Sequence, residues 1–182
     1  VDEAHATGVL GSSGRGSCEL LEVEDRVTLR IGTLSKAVGA AGGFAVGSTA
    51  FIEHLWHHAR SQVFSTALSP ATCAAASEGL RLVGEEQDRR RHLGRLSKRL
   101  RDSLAHLDSP STTGPIVPVI LGEASTAIEA SARLAERGLF VPAIRPPSVP
   151  QGTARLRISL SAAHSDDDVD RLVNSLSEIT SS

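Results

Sequence analysis

The chain of 182 residues contains no methionine, only two cysteines and no hydrophobic stretch long enough to cross a membrane. Cys18 and Cys73 lie far apart, without the spacing of a disulfide framework or a thiolate metal site, which favours a reducing, cytoplasmic compartment. A membrane helix needs about 18 or more apolar residues in succession, and the first residues also lack the basic and apolar regions of a signal peptide. Because translation normally starts with methionine, we expect this chain to be a piece of a longer protein.

Charge of one sign is not in excess either. The chain has 19 basic and 21 acidic residues and is 40% hydrophobic, which excludes the disordered, collagenous and strongly nucleic-acid-binding classes. We therefore expect neither a nucleic-acid partner nor a membrane partner. His54, His57 and His58 share one side of a predicted helix, but no carboxylate or cysteine completes a metal site, so we expect no metal.

Strand and helix patterns alternate along the chain, which is typical of an α/β protein. Buried strands are predicted at 27–31 and 43–47, and further strands at 116–121 and 139–141. A half-buried strand is predicted at 155–160. Helices are predicted at 49–58, after Ser69 and Pro70, along the leucine stripe of 93–107, from Ser125 to Gly138, and after Ser165. We place a domain boundary at the start of the leucine-rich helix, dividing the chain into 1–84 and 85–182.

Lys36 stands out because it follows Thr33 and Ser35 between two predicted apolar strands. A desolvated lysine loses its proton more easily and becomes an amine nucleophile for Schiff-base chemistry. The two neighbouring hydroxyls could bind a phosphate. The alternative is a lysine that reaches solvent from the end of a strand. The residues alone leave both interpretations open.

Asp2, Glu3 and His5 form a second polar group at the start of the chain. Loops at the carboxyl ends of strands are where α/β proteins bind ligands, and a carboxylate can orient a neighbouring imidazole. A helix cap or a salt-bridge cluster is the alternative, and composition does not separate the two.

Three further features are weaker. The Gly-Ser stretch at 8–16 matches neither the dinucleotide nor the P-loop pattern, so it is a loose phosphate cradle or a flexible surface loop. Arg145 precedes two prolines that stiffen the backbone, and such a guanidinium suits a carboxylate ligand or an interdomain salt bridge. Ser65 and Thr66 carry hydroxyls that could reach a phosphate or serve as caps.

The segments Val1–Gly11, Thr33–Ala37 and Ile144–Arg157, in this order, resemble the α-oxoamine synthases. These are fold type I enzymes that depend on pyridoxal 5'-phosphate (PLP). The resemblance implies the C-terminal half of such an enzyme. Residues 1–84 would then be the remainder of its large, mainly parallel sheet domain, and residues 85–182 a linking helix with a small α+β domain.

The resemblance also implies a role for each candidate residue. Lys36 would hold PLP covalently and then act as acid and base at the substrate α-carbon. Asp2 would pair with the protonated ring nitrogen, which makes the ring an electron sink, and His5 would hydrogen-bond the phenolic oxygen. The other roles are in binding: Thr33 near the phosphate, Ser65 and Thr66 at the phosphate of a neighbouring subunit in a homodimer, Arg145 at the amino-acid carboxylate, and Ser148 on the substrate side.

The reaction implied by the resemblance is an acyl transfer in biotin biosynthesis. L-Alanine would condense with a pimeloyl thioester of coenzyme A or of an acyl carrier protein, releasing carbon dioxide and the thiol. A glycine C-acetyltransferase or another α-oxoamine synthase is the rival within this class. In another class, the chain is a non-catalytic structural or interaction module. Since part of the site would lie elsewhere, we expect the isolated chain to be inactive or very weak.

Overall fold

The computed structural model describes residues 1–110 and 112–180. The chain divides into two compact units, Val1–Arg90 and a second unit that begins at Arg91. This division falls in the first turns of helix α5 (Gln87–Ser103), a few residues beyond the boundary expected from the sequence. None of the helices in the described ranges has both the length and the apolar character that a membrane crossing requires.

The first unit contains a β-hairpin and several helices. Strands β1 (Leu29–Thr33) and β2 (Gly43–Gly47) pair antiparallel, with Thr33 opposite Gly43. The helical elements of this unit are α1 (Ser17–Leu20), a 3-10 turn (Glu24–Arg26), α2 (Thr49–His58), α3 (Arg60–Val63) and α4 (Pro70–Glu85). The predicted bounds of α2 are confirmed.

Helix α4 begins where the sequence predicts. The Ser69 hydroxyl accepts a hydrogen bond from the Thr72 N–H at 3.2 Å, and Pro70 occupies the first helical position. Proline is tolerated there because its missing N–H would have no partner inside the helix. The cap and the proline together explain the sharp start of this helix.

Burial of the strands at 27–31 and 43–47 was predicted, and that prediction is wrong for both; the first strand also begins at Leu29. Apart from the half-buried Phe44, the residues of β2 are exposed, and Ile31 of β1 is also 50% exposed. The two strands form a sheet of their own. A two-stranded sheet offers little apolar surface for other elements to cover, so most of these side chains remain in contact with solvent.

The second unit is a three-stranded antiparallel sheet with helices. Its elements after α5 are β3 (Ile116–Gly122), α6 (Ala124–Glu136), β4 (Ala143–Ile144), β5 (Ala154–Ser159) and α7 (Asp166–Thr180), and the strand order is β3-β5-β4. In β5, Leu156 and Ile158 are buried while Arg155 and Arg157 are only partly covered. The predicted half-buried strand is therefore confirmed.

One contiguous apolar core fills this unit. Leu96, Leu100 and Leu104 of the predicted leucine stripe are 0% exposed. They belong to one cluster with residues of the sheet and of the other two helices, among them Val117, Val119, Leu134, Leu156, Val169 and Leu176. At α7, the Ser165 hydroxyl accepts from the Asp168 N–H, so the predicted cap is confirmed.

Two local predictions in this unit are wrong. The strand expected at 139–141 lies at Ala143–Ile144, because the Leu139 N–H bonds the Leu134 carbonyl and closes the end of α6 after Gly138. Ser125 was expected to cap α6 but lies inside its first turn. The cap position is Glu123, which makes no side-chain capping bond.

Candidate functional site

Lys36 lies on the loop that joins β1 to β2, and hydrogen bonds close this loop at its base. The Leu34 N–H donates to the Gly42 carbonyl at 3.0 Å, and the Ala40 N–H donates to the Leu34 carbonyl at 2.8 Å. Within the loop, the Gly39 N–H donates to the Lys36 carbonyl at 3.0 Å. The backbone around Lys36 is therefore well determined by local bonds.

Packing on helix α4 anchors the same loop. Leu34 and Val38 are buried and form a small cluster with Ala76. A Cβ atom at Gly79 would lie 2.3 Å from the Val38 carbonyl oxygen, so only glycine permits this close approach. The chain is thus held by packing on both sides of Lys36.

The Lys36 side chain itself is exposed. A desolvated amine is one of the two interpretations of the sequence, and the described residues do not provide that environment. Leu34 and Val38 turn inward, which leaves Lys36 between them outside the cluster. The alternative, a lysine that reaches solvent near the end of a strand, describes its position here, and keeping water from its amine requires further protein surface.

Two hydroxyl groups lie close to Lys36 in the chain and to each other. Thr33 Oγ1 is 2.8 Å from Ser35 Oγ and donates to the Gly42 carbonyl at 3.1 Å. The Ser35 N–H donates to Thr33 Oγ1 at 3.2 Å. Hydroxyls beside a cationic amine suit an anionic group such as a phosphate.

The first residues of the chain, Asp2 among them, run parallel to β1. The Ile31 N–H donates to the Val1 carbonyl at 2.9 Å, and the Glu3 N–H donates to the Ile31 carbonyl at 2.7 Å. Asp2 is exposed and lies opposite Ile31, two residues before Thr33. The structure therefore places Asp2 beside the middle of β1, the strand that leads into the Lys36 loop.

Glu3 differs from its neighbours Asp2 and His5, which are both exposed, because it is only 2% exposed. Its carboxylate accepts hydrogen bonds from Ser17 and Cys18 at the start of α1. Burial acts to raise the pKa of Glu3, but the hydrogen bonds from Cys18 and Ser17 outweigh it, and the pKa is lowered. The helix-cap interpretation of this group thus holds for Glu3.

The Gly-Ser stretch at 8–16 surrounds a carboxylate of the chain itself. Glu19 accepts hydrogen bonds from Ser12 Oγ, from the N–H and Oγ of Ser13, and from the Arg15 N–H, at 2.6 to 2.9 Å. Burial acts to raise the pKa of Glu19, but the bonds from Ser13 and Arg15 lower it to about 2. The stretch is therefore neither an open phosphate cradle nor a loose loop. Sequence reasoning missed Glu19 because nothing in its spacing marks it.

Ser65 and Thr66 follow α3 in the stretch 60–71, where every residue is exposed. The Ser65 hydroxyl makes only a long bond, 3.5 Å, to the Thr66 carbonyl. A few residues on, the side chain of Leu68 lies against Gly42, where a Cβ would be 2.7 Å from Leu68 Cδ1. The segment with the two hydroxyls thus passes beside the base of the Lys36 loop.

Arg145 and Ser148 lie in the second unit, in the turn that follows β4. Both are exposed, and the Ser148 N–H donates to the Arg145 carbonyl at 3.1 Å. Among the described residues of this unit, no carboxylate pairs with the Arg145 guanidinium. Such a group remains available to a carboxylate ligand.

The histidines of α2 interact with each other. The rings of His54 and His58 stack with their centroids 4.2 Å apart, and His58 Nδ1 lies 2.9 Å from the His54 carbonyl. Over residues 1–110 and 112–180, no three His, Cys, Asp or Glu side chains are grouped as metal ligands.

Known proteins match the chain along nearly its whole length. The family model described as aminotransferase class I and II matches residues 1–176. An 8-amino-7-oxononanoate synthase of Anaeromyxobacter dehalogenans is 50% identical over 98% of this chain and 46% of the relative. The chain thus spans about half the length of the curated relatives that it matches.

Solved structures agree with these matches. Serine palmitoyltransferase of Sphingomonas wittichii superposes with a TM-score of 0.91 and 36% identity, over 100% of this chain and 46% of that one. An 8-amino-7-oxononanoate synthase of Francisella tularensis gives a TM-score of 0.89 and 28% identity, over 100% and 54%. The fold is therefore that of a fold type I PLP-dependent transferase, which confirms the predicted fold class. The chain belongs to the aminotransferase class I and II family.

The donors present fit PLP, whose reactive groups are an aldehyde, a ring nitrogen, a phenolic oxygen and a phosphate. Lys36 offers an amine, Asp2 a carboxylate, His5 an imidazole and Thr33 a hydroxyl. Asp2 pairs with Ile31 of β1, Thr33 ends this strand, and Lys36 follows three residues later. The chemistry of this donor set therefore matches the cofactor of the family.

Proposed function

We propose that this chain supplies part of an 8-amino-7-oxononanoate synthase, a PLP-dependent acyltransferase of biotin biosynthesis. The enzyme condenses L-alanine with a pimeloyl thioester and releases carbon dioxide and the thiol. The Lys36 loop carries the proposal, since packing and hydrogen bonds hold its backbone just beyond the end of β1, the strand that pairs with the segment of Asp2. The 50% identity to a synthase of this name supports this particular acyltransferase.

The residues near the Lys36 loop have distinct tasks in this proposal. PLP, when bound, draws electrons away from the α-carbon of the amino acid attached to it. Lys36 Nζ removes the proton from the alanine α-carbon and later returns one. The Asp2 carboxylate keeps the ring nitrogen protonated, and the His5 imidazole donates to the phenolic oxygen. The fixed backbone of the Lys36 loop favours the reaction, because an amine that is already positioned loses less entropy on reaching the reactive geometry.

The remaining candidates bind the charged ends of cofactor and substrate. Thr33 holds the phosphate, while Ser65 and Thr66 reach the phosphate bound by a second copy of the chain. The site is then shared in a homodimer. Arg145 forms two parallel hydrogen bonds with the alanine carboxylate, and Ser148 lines the substrate side. Ser65, Thr66, Arg145 and Ser148 are exposed, which supports roles in binding ligands.

The two lysines of the chain provide a matched test. Lys36 and Lys98 both stand in a Leu-Ser-Lys sequence, and Lys98 is exposed and paired with Asp102 at 2.6 Å. In the complete protein that carries this chain, borohydride treatment after loading with PLP should leave the label on Lys36. Lys36→Ala should lose the label and the visible absorbance band, and Lys98→Ala should keep both. Equal labelling of the two lysines, or a colourless wild type, would contradict the proposal.

A serine-dependent or glycine-dependent α-oxoamine synthase is the second candidate, favoured by the 36% identity to serine palmitoyltransferase. Titrating the bound cofactor with L-alanine, glycine and L-serine separates these enzymes, because the true amino-acid substrate should change the absorbance at the lowest concentration. A non-catalytic module would show no PLP band at all.

We also propose that the isolated chain has little activity and that the protein is cytoplasmic. The exposed Lys36 amine lacks the water-free surroundings that catalysis favours. Cys18 and Cys73 are both free thiols, which supports a reducing compartment. Turnover of alanine and thioester by the isolated chain at the rate of the complete protein would contradict the first statement.

A further inference from the structure

Glu3 lies between Asp2 and His5, and its backbone is bonded on both sides. Its N–H donates to the Ile31 carbonyl at 2.7 Å, which fixes the chain next to Asp2. Its carbonyl accepts from the N–H groups of Ala6 and Thr7, at 2.9 and 2.8 Å, and from the Thr7 hydroxyl at 3.0 Å. These bonds close a turn that contains His5.

The Glu3 side chain ties this turn to α1. Oε2 accepts from the N–H and the hydroxyl of Ser17, at 2.7 and 2.6 Å, and Oε1 accepts from the Cys18 N–H at 2.8 Å. A Cβ at Gly16 would lie 2.6 Å from Oε2, so the carboxylate also fills the space that a side chain would take there. Every polar group of this buried residue is therefore occupied.

We propose that Glu3 is a positioning residue for the PLP site, which holds the Asp2 carboxylate toward the ring nitrogen and the His5 imidazole toward the phenolic oxygen. This inference rests on the proposed function. Glu3 touches neither PLP nor substrate and acts through the backbone on its two sides. Asp2 and His5 are exposed, and the Asp2 carboxylate accepts from the Ala4 N–H at 2.8 Å, while the bonds of Glu3 fix the backbone between these two residues.

Glu19 is the matched control within the chain. It is also a largely buried carboxylate that accepts several hydrogen bonds from serine hydroxyls and backbone N–H groups, but no cofactor candidate flanks it. Glu3→Gln and Glu19→Gln each replace one acceptor oxygen by an NH2 group, which cannot accept. Both variants lose the same kind of bond, and only the first disturbs the segment of Asp2 and His5.

The test measures PLP affinity and the pH dependence of the visible band of bound PLP in the complete protein. For Glu3→Gln we expect about tenfold weaker PLP binding, at the lower end of the losses known for supporting residues of metal sites. We also expect a shift of the pH profile, because a displaced Asp2 no longer stabilises the protonated ring nitrogen. Glu19→Gln should match the wild type in both. A Glu3→Gln protein with wild-type affinity and pH profile would overturn the inference.

A milder pair serves if Glu3→Gln does not fold. Ser17→Ala and Ser13→Ala each remove one 2.6 Å bond from a hydroxyl to a carboxylate, the first at Glu3 and the second at Glu19. Ser17→Ala should shift the pH profile in the same direction but less, and Ser13→Ala should not shift it. Equal profiles for both variants overturn the inference while leaving the proposed function intact. A wild type that binds no PLP overturns both.

Discussion

The two units differ in where their apolar side chains lie. In the second unit one cluster joins residues of α5, α6, α7 and the sheet. In the first unit, the buried cluster of Leu34, Val38 and Ala76 lies under the Lys36 loop. Most of the large exposed apolar side chains also belong to the first unit, among them Ile31, Val46, Trp56, Phe64 and Leu68. The first unit therefore has the smaller apolar core, and it also contains most of the candidate site residues.

The two units thus stabilise their backbone conformations by different interactions. The second unit relies on burial of apolar surface, which is worth about 25 cal/mol per Å². The first unit relies more on buried carboxylates, Glu3 and Glu19, that accept many hydrogen bonds, and on close backbone approach at Gly79. Hydrogen bonds and tight turns fix the orientation of the backbone, and this suits residues whose side chains must be directed toward a ligand.

The largest effect on stability is expected in the apolar core of the second unit. Leu100→Ala removes a side chain that is 0% exposed and should lower the free energy of unfolding by about 3 kcal/mol. Leu80→Ala, at a position 46% exposed in the first unit, should cost less than about 1 kcal/mol. Urea unfolding of the two variants measures the difference, and equal losses would remove the contrast between the units.

Hydrogen exchange shows which of the two units loses stability in the variant. With Leu100→Ala, we expect faster exchange of the amides of β3, β5 and α7, while those of β1 and α4 keep wild-type rates. Faster exchange throughout the chain would show that the two units unfold together.

A smaller effect is expected at the contact between the Lys36 loop and α4. Gly79→Ala places a methyl group against the Val38 carbonyl and should cost about 2 kcal/mol. Gly84→Ala, in the same helix with no atom within 4 Å of the new Cβ, should instead stabilise the chain by up to about 1 kcal/mol. Thermal unfolding compares the two, and a stable Gly79→Ala protein would show that the loop is not anchored there.

A further effect is expected from the Glu19 carboxylate, and this one depends on pH. Its pKa is lowered from 4.5 to about 2 in the folded chain, so its stabilisation is fully present above about pH 4.5 and is lost as pH falls toward about 2. The difference in Tm between wild type and Glu19→Gln should therefore shrink over this range. A difference that stays constant down to about pH 2 would show that Glu19 gains no stability from its charge.

Several elements were predictable because their signals are local. The bounds of α2, the start of α4 at Ser69 and the leucine stripe of α5 follow from caps and helical periodicity. The strand placed at 139–141 was wrong because the bond from Leu139 to Leu134 competes with strand pairing. Periodicity alone does not reveal which of two bonds a backbone N–H will make.

The candidate site was only partly predictable. Asp2, His5, Thr33 and Lys36 were identified by their chemistry and by resemblance, and their proposed roles remain predictions. The sequence left open whether Lys36 is exposed and did not reveal the bonds of Glu19, because both depend on which neighbours fold inward. Glu19 lies six residues beyond Ser13, and no short motif links a carboxylate to a serine loop at that distance.

Local chemistry in the chain was enough to identify the longer helices, the α/β class and a candidate amine at position 36, since periodicity, caps and nucleophilic side chains are visible without coordinates. Three-dimensional packing was needed to learn that the amine faces outward, that a buried glutamate orders the turn around His5, and that the serine loop encloses a carboxylate. These arrangements depend on contacts that helical or strand periodicity does not encode. Such contacts contribute free energy only when the backbone has folded and water is excluded from the hydrogen bonds.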